Sequence, residues 1–180
     1  MIGGIRRSPP IILTLVSQAL TPARFAPFGQ MIDERAVEPL AINDGATLRF
    51  DDLARIEIES GRPRVSLFRN PAAITLPYRL PLLECHPLGS QAFIPRTNAP
   101  FLIVVAEPGP APALDRLAAF LTDGHQGVNY RPGTWHLPLA SLVPAEFIVI
   151  DRGGPGENCR IFRLDEFPIE VAQSSGGACR

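Results

Sequence analysis

No lysine occurs among the 180 residues; all 17 basic side chains are arginine. Chemistry that needs a primary amine, a Schiff base or a phosphate-loop lysine, is thereby excluded. Arginine remains, and its planar fork suits bidentate recognition of carboxylates, although at surface positions the bias reads as codon usage. Histidine is almost as scarce, so imidazole chemistry must run through His86, His125 or His136. The three cysteines, Cys85, Cys159 and Cys179, have an odd count and no short metal-type spacing, which points to reduced thiols in a cytoplasmic protein. No apolar run approaches the ~20 residues that cross a membrane. A net charge of -1 lacks the footprint of a nucleic-acid binder. With neither membrane nor nucleic acid as partner, a small-molecule ligand or a protein partner is expected.

What the chain has in plenty is 20 prolines and 15 glycines, which cut it into short pieces. Apolar or alternating runs lie between them: IILTLV (11–16), ARIEIE (54–59), RVSLF (64–68), YRLPLLEC (78–85), QAFIP (91–95), FLIVVA (101–106), EFIVID (146–151) and CRIFRL (159–164). Many short strands between turn signals predict an all-β fold, an antiparallel β-barrel of the jelly-roll kind. Two short peripheral helices are expected. TPARFAPFG (21–29) has Thr21 as cap, Pro22 in the first turn and Gly29 as stop; APALDRLAAFLTDG (111–124) places Leu114, Leu117, Ala118 and Leu121 on one face. At the N-terminus, arginines precede an apolar run shorter than the ~7–15 residues of a secretory signal. Residues 1–12 therefore read as a disordered leader, 13–168 as one domain and 169–180 as a frayed tail.

Two stretches carry polar groups that a barrel interior would tolerate only for a purpose. In ECHPLGSQAFIP (84–95), strand alternation points Glu84 and His86 to one side and Cys85 to the other, and Gln91 opens the next run. In GHQGVNYRPGTWHLPL (124–139), a Pro-Gly turn leads into Trp135 and His136. Two imidazoles with oxygen donors suit a divalent transition metal such as nickel, zinc or manganese. His125, following a helix stop, reads as a solvated loop residue.

These stretches carry a family resemblance. ECHPLGSQAFIP resembles the ERHPLGSQAFIP signature of ureidoglycolate lyases, and GVNYRPGTWHLPL resembles their GVNYxxGxWHHPL. DRGGPGENC (151–159) and RVSLFRN (64–70) are similar to two further blocks, so the likeness runs from Leu13 to Leu164. It implies a cupin-like domain in a homodimer. It also implies cleavage of (S)-ureidoglycolate to glyoxylate and urea in the allantoin branch of purine breakdown, although the residues themselves carry no sign of handedness. Two positions depart from the pattern: Cys85 replaces an arginine and Leu137 a histidine. Alternation turns both away from His86 and His136, so the departures bear on rate and not on reaction class.

The implied substrate is a hemiaminal. Its hydroxyl must lose a proton while the C–N bond breaks and the urea nitrogen gains one; no water is added. The residues expected to act are Glu84, His86 and His136, with Glu84 as base unless it binds the metal. His86, Gln91 and His136 are the expected ligands of a divalent metal, nickel by the resemblance. Arg69 and Arg152 are candidates for the substrate carboxylate, Asn43, Asn129 and Tyr130 for the urea amide, and Trp135 for the pocket wall. Two alternatives stay open. Loss of the histidine at Leu137 would suit a non-catalytic binder of small carboxylates, and a metal-activated water would suit an amidohydrolase releasing ammonia.

Overall fold

A computed structural model of the chain describes residues 12–174; the expected leader up to residue 11 and the end of the tail lie outside the described residues. Two large sheets face each other. A seven-stranded sheet runs Arg160–Arg163, Leu82–Cys85, Trp135–His136, Phe101–Ala106, Ala118–Leu121 and Gln18–Ala19, with Ala140–Ser141 also paired to Phe101–Ala106. A five-stranded sheet runs Gly29–Ile32, Gly127–Tyr130, Gln91–Pro95, Ala145–Gly153 and Arg62–Asn70. A three-stranded sheet of Leu13–Val16, Ile169–Ala172 and Tyr78–Arg79 contributes to a second core, and Leu40–Ile42 pairs with Thr47–Arg49 as a separate hairpin. The all-β, largely antiparallel architecture is consistent with the expected cupin-like barrel. Two short pairs depart from it by running parallel: Leu13–Val16 with Ile169–Ala172, and Gln18–Ala19 with Ala118–Leu121.

The run FLIVVA shows how the layers are built. All six residues are buried, because its sheet is covered on both faces. Phe101, Ile103 and Val105 join Phe93, Val128, Phe147 and Val149 of the five-stranded sheet in one core. Leu102, Val104 and Ala106 point the other way, into a second core with Leu80, Ile169 and Val171. A strand buried on both sides reads as a continuous apolar run and loses its alternation. Phe147 is fully buried and meets Phe101 edge-on at 5.3 Å. Phe147→Ala is therefore expected to cost about 3–5 kcal/mol, read as a lowered denaturation midpoint.

Several expectations are corrected. The helix expected over 111–124 is absent: only Leu114–Arg116 forms a 3-10 turn, preceded by Ala113, which offers no capping side chain. Ala118–Leu121 instead pairs antiparallel with Leu102–Val105, burying Ala119 and Phe120 toward different cores. Packing on both faces outweighs the helical periodicity. The first helix is real but short, Pro22–Phe25, with the Thr21 hydroxyl accepting from the Arg24 amide. Gly29 does not stop it; it opens a strand so close to its neighbour that a Cβ would lie 2.0 Å from the Asn129 carbonyl oxygen.

ARIEIE (54–59) forms no strand beyond a single bridge at Ile58, because side chains take its amides: Arg55 N–H donates to Gln30 Oε1, and Glu57 N–H to Ser90 Oγ. YRLPLLEC splits into Tyr78–Arg79 and Leu82–Cys85 around Pro81, which has no ladder donor. The tail expected to fray from residue 169 first forms the strand Ile169–Ala172, with Ile169 and Val171 in the core. No helix among the described residues is long and apolar enough to cross a membrane.

Candidate active site

The site is built by strand alternation. Leu83 and Cys85 enter the second core, so Glu84 between them faces the other sheet. His136 stands directly opposite Glu84 in the ladder and shares its face, while its neighbours Trp135 and Leu137 point into the second core. The substitutions at Cys85 and Leu137 thus both lie on the side away from the cluster. From the five-stranded sheet, Gln91 and its ladder partner Tyr130 face the same space.

The turns that carry the two histidines are tied together. Gly133, at φ +78°, adopts a left-handed conformation that a side chain would strain, and its N–H donates to the His86 carbonyl at 2.9 Å. Thr134 N–H donates to the Arg131 carbonyl, and the Thr134 hydroxyl to the Phe28 carbonyl at 2.9 Å. The Asn158 side chain accepts from the Leu88 amide at 2.8 Å and so fixes the other turn.

Both imidazoles are held through Nδ1 by a backbone carbonyl: His86 by Asn158 at 2.6 Å, His136 by Thr134 at 3.0 Å. With those protons on Nδ1, each Nε2 carries a lone pair directed inward. Glu84 Oε1 lies 3.5 Å from His136 Nε2 and 3.9 Å from His86 Nε2. Gln91 Oε1 lies 3.1 Å from His136 Nε2. Two acceptors that close repel unless a proton or a cation lies between them. His86 Nε2 is buried with no hydrogen-bond partner, and such an atom is costly unless something binds it. Tyr130 stacks on His136 with ring centres 4.3 Å apart and covers that side of the site.

The electrostatics follow from this packing. Burial pushes the Glu84 carboxyl up, but the two imidazoles facing it, His136 more than His86, outweigh burial and hold the group at about 2. Such a carboxylate is a fixed charge and a poor proton acceptor at neutral pH. Burial works to lower the pKa of His86, yet Glu84, the Asn158 carbonyl and the Asp151 charge together raise it. Burial, with Glu84 adding to it, pushes the Tyr130 phenol up, so it stays protonated.

The donor atoms of Glu84, His86 and His136 all lie within 4.8 Å of one another, and could hold a metal ion. The chemistry fits, because each histidine presents Nε2 inward while a carbonyl fixes its other nitrogen, as metal-bound imidazoles require. Glu84 thus joins the expected His86 and His136 among the residues that could hold the ion, with the Gln91 oxygen beside them.

The other expected site residues lie elsewhere. Arg69 points outward, its side chain 70% exposed, and pairs with Glu146, which also binds Arg96. Arg152 is buried and faces away from its neighbour Asp151, its Nε and Nη2 donating to the Ser60 carbonyl and hydroxyl and to the Pro155 carbonyl. Asn129 faces away from its neighbour Tyr130 and donates to Gln30 Oε1 and the Arg55 carbonyl. Asn43 sits at φ +53° in the exposed hairpin, bonded to Thr47. Trp135 packs in the second core, its indole donating to the Gly109 carbonyl. Thr134 and Asn158, which orient the rings through main-chain carbonyls, leave no side-chain signal in the sequence.

The sequence model described as ureidoglycolate lyase matches residues 12–172. A ureidoglycolate lyase of Burkholderia mallei (strain NCTC 10229) is 49% identical over 156 residues, 85% of this chain and 91% of that protein. One from Azotobacter vinelandii is 47% identical over 145 residues, covering 79% and 87%. One from Pseudomonas fluorescens (strain SBW25) is 44% identical over 158 residues, covering 85% and 94%.

Proposed function

The chain belongs to the ureidoglycolate lyase family, and from that premise we propose that it cleaves ureidoglycolate to glyoxylate and urea at the Glu84–His86–His136 cluster. The observation that carries the assignment to this cluster is the bare, buried Nε2 of His86 beside a second imidazole and a carboxylate. The reaction removes a proton from the substrate's hydroxyl. The oxygen's electrons form the C=O of glyoxylate, the C–N pair leaves with urea, and that nitrogen takes a proton.

In the metal-free protein, His86 Nε2 is the base, since Asn158 occupies its other nitrogen. Glu84 stabilises the resulting imidazolium, and the proton then passes to the departing nitrogen. Tyr130 shields the site from water, and its protonated hydroxyl is a donor for the substrate. Glu84, His86 and His136, with the Gln91 oxygen, would hold a divalent metal, nickel in the first instance with zinc or manganese as alternatives. Bound there, such an ion would supply Lewis-acid polarisation of the substrate's hydroxyl.

Purified protein given ureidoglycolate should release glyoxylate and urea in equal amounts above the spontaneous rate. Ammonia in place of urea would assign an amidohydrolase, and saturable binding without glyoxylate a carboxylate-binding protein. The protein is further proposed to be cytoplasmic and a homodimer. The edge strand Arg62–Asn70, with Val65 and Leu67 exposed, supports the pairing. Light scattering should give twice the chain mass; the mass of one chain would contradict it.

A further inference from the structure

The substrate is a carboxylate, yet Arg69 and Arg152, the arginines of the family-like blocks, are committed elsewhere. Strand register identifies another. On the five-stranded sheet Tyr130 stands opposite Gln91, and Asp151 opposite Arg64. One step beyond Ile150↔Ala92, the same register sets Asp151 beside Gln91. Tyr130, Gln91, Asp151 and Arg64 thus form one row across four adjacent strands.

Parity puts that row on the inner face. Phe147 and Val149 lie in the core between the sheets, so Asp151 follows them inward. On the paired strand Phe68 packs on Phe93 at 6.1 Å, and Arg64, four residues earlier, shares its face. Strands are ~4.8 Å apart, so Arg64 stands two strands, about 10 Å at Cα, from Gln91. A two-carbon acid between them lies within an arginine's reach.

We propose that Arg64, oriented by Asp151, binds the carboxylate of the substrate at the mouth of the site; this rests on the lyase reading above. Asp151 is 8% exposed and takes Arg64 bidentately, Nε to Oδ1 at 2.9 Å and Nη2 to Oδ2 at 2.8 Å. That contact fixes the plane of the guanidinium and leaves Nη1 with no partner among the described residues. The Arg64 side chain is 52% exposed, as an entrance group must be. Asp151 is a positioning residue; Arg64 touches the ligand.

The test measures steady-state glyoxylate release together with calorimetric binding of glyoxylate. Arg64→Gln should raise KM roughly 10–100-fold, the loss of a charge-assisted hydrogen bond, with kcat within a few-fold of the parent. Arg64→Lys should recover part of that loss, because a point charge remains without the fork. Asp151→Asn should raise KM in the same direction. Arg62→Gln, two residues further out on the same strand, should leave KM unchanged. Calorimetry should show the same weakening of glyoxylate by Arg64→Gln. An unchanged KM and unchanged glyoxylate affinity in Arg64→Gln, or an equal effect of Arg62→Gln, would overturn the assignment. Should the parent bind glyoxylate yet release none from ureidoglycolate, the lyase reading fails, and calorimetry alone still decides the place of Arg64.

Discussion

His136→Ala is expected to lower kcat by roughly 10²–10⁴-fold, the contribution of a positioned acid–base group, because His136 holds in place the Glu84 carboxylate that serves the base His86. No other side chain joins so much of the site: its Nε2 meets both Glu84 and Gln91, and its Nδ1 is fixed by Thr134. Removing it also frees the buried Glu84 carboxylate from the neighbour that does most to keep it ionised. His86→Ala should cost as much. The double variant should be little worse than either single one, because residues that act as a unit do not contribute additively. Denaturation midpoints measured alongside separate lost chemistry from lost folding. A His136→Ala enzyme with parental turnover would remove the residue from the mechanism.

Exhaustive chelation is expected to reduce turnover by about 10²-fold or more, with recovery on adding nickel and weaker recovery with zinc or manganese. The expectation comes from four inward donor atoms gathered in one place: the bare Nε2 of His86, the Nε2 of His136, the Gln91 amide oxygen and the ionised Glu84. Metal content of the purified protein, measured before and after chelation, should track activity. Undiminished turnover in metal-free protein would leave proton transfer to His86 Nε2, with Glu84 stabilising the imidazolium.

Which parts of this site were legible in the sequence depends on how locally each is determined. QAFIP and FLIVVA form strands at the residues expected, since short apolar runs bounded by prolines and polar turns admit little else. Glu84, His86 and His136 converge because each follows from alternation beside a turn. The run 111–124 misleads, as leucine and alanine at helical spacing serve equally well in a strand buried on both faces, and only the neighbouring sheets decide. The choice of arginine is a subtler case. Membership of a family-like block favours Arg69 and Arg152, but register and parity turn Arg69 outward and engage Arg152 with Ser60 and Pro155. Arg64 emerges only once its strand is paired with Ala145–Gly153, information that no single stretch contains.

Every role assigned here requires that the two histidine turns share one ligand-binding cavity. The most direct measurement is a crystal structure of the protein soaked with glyoxylate. The ligand should lie between the two large sheets, against His86, His136 and Gln91, with its carboxylate toward Arg64. Glyoxylate bound elsewhere, with the imidazoles facing solvent or a filled apolar interior between them, would contradict the account.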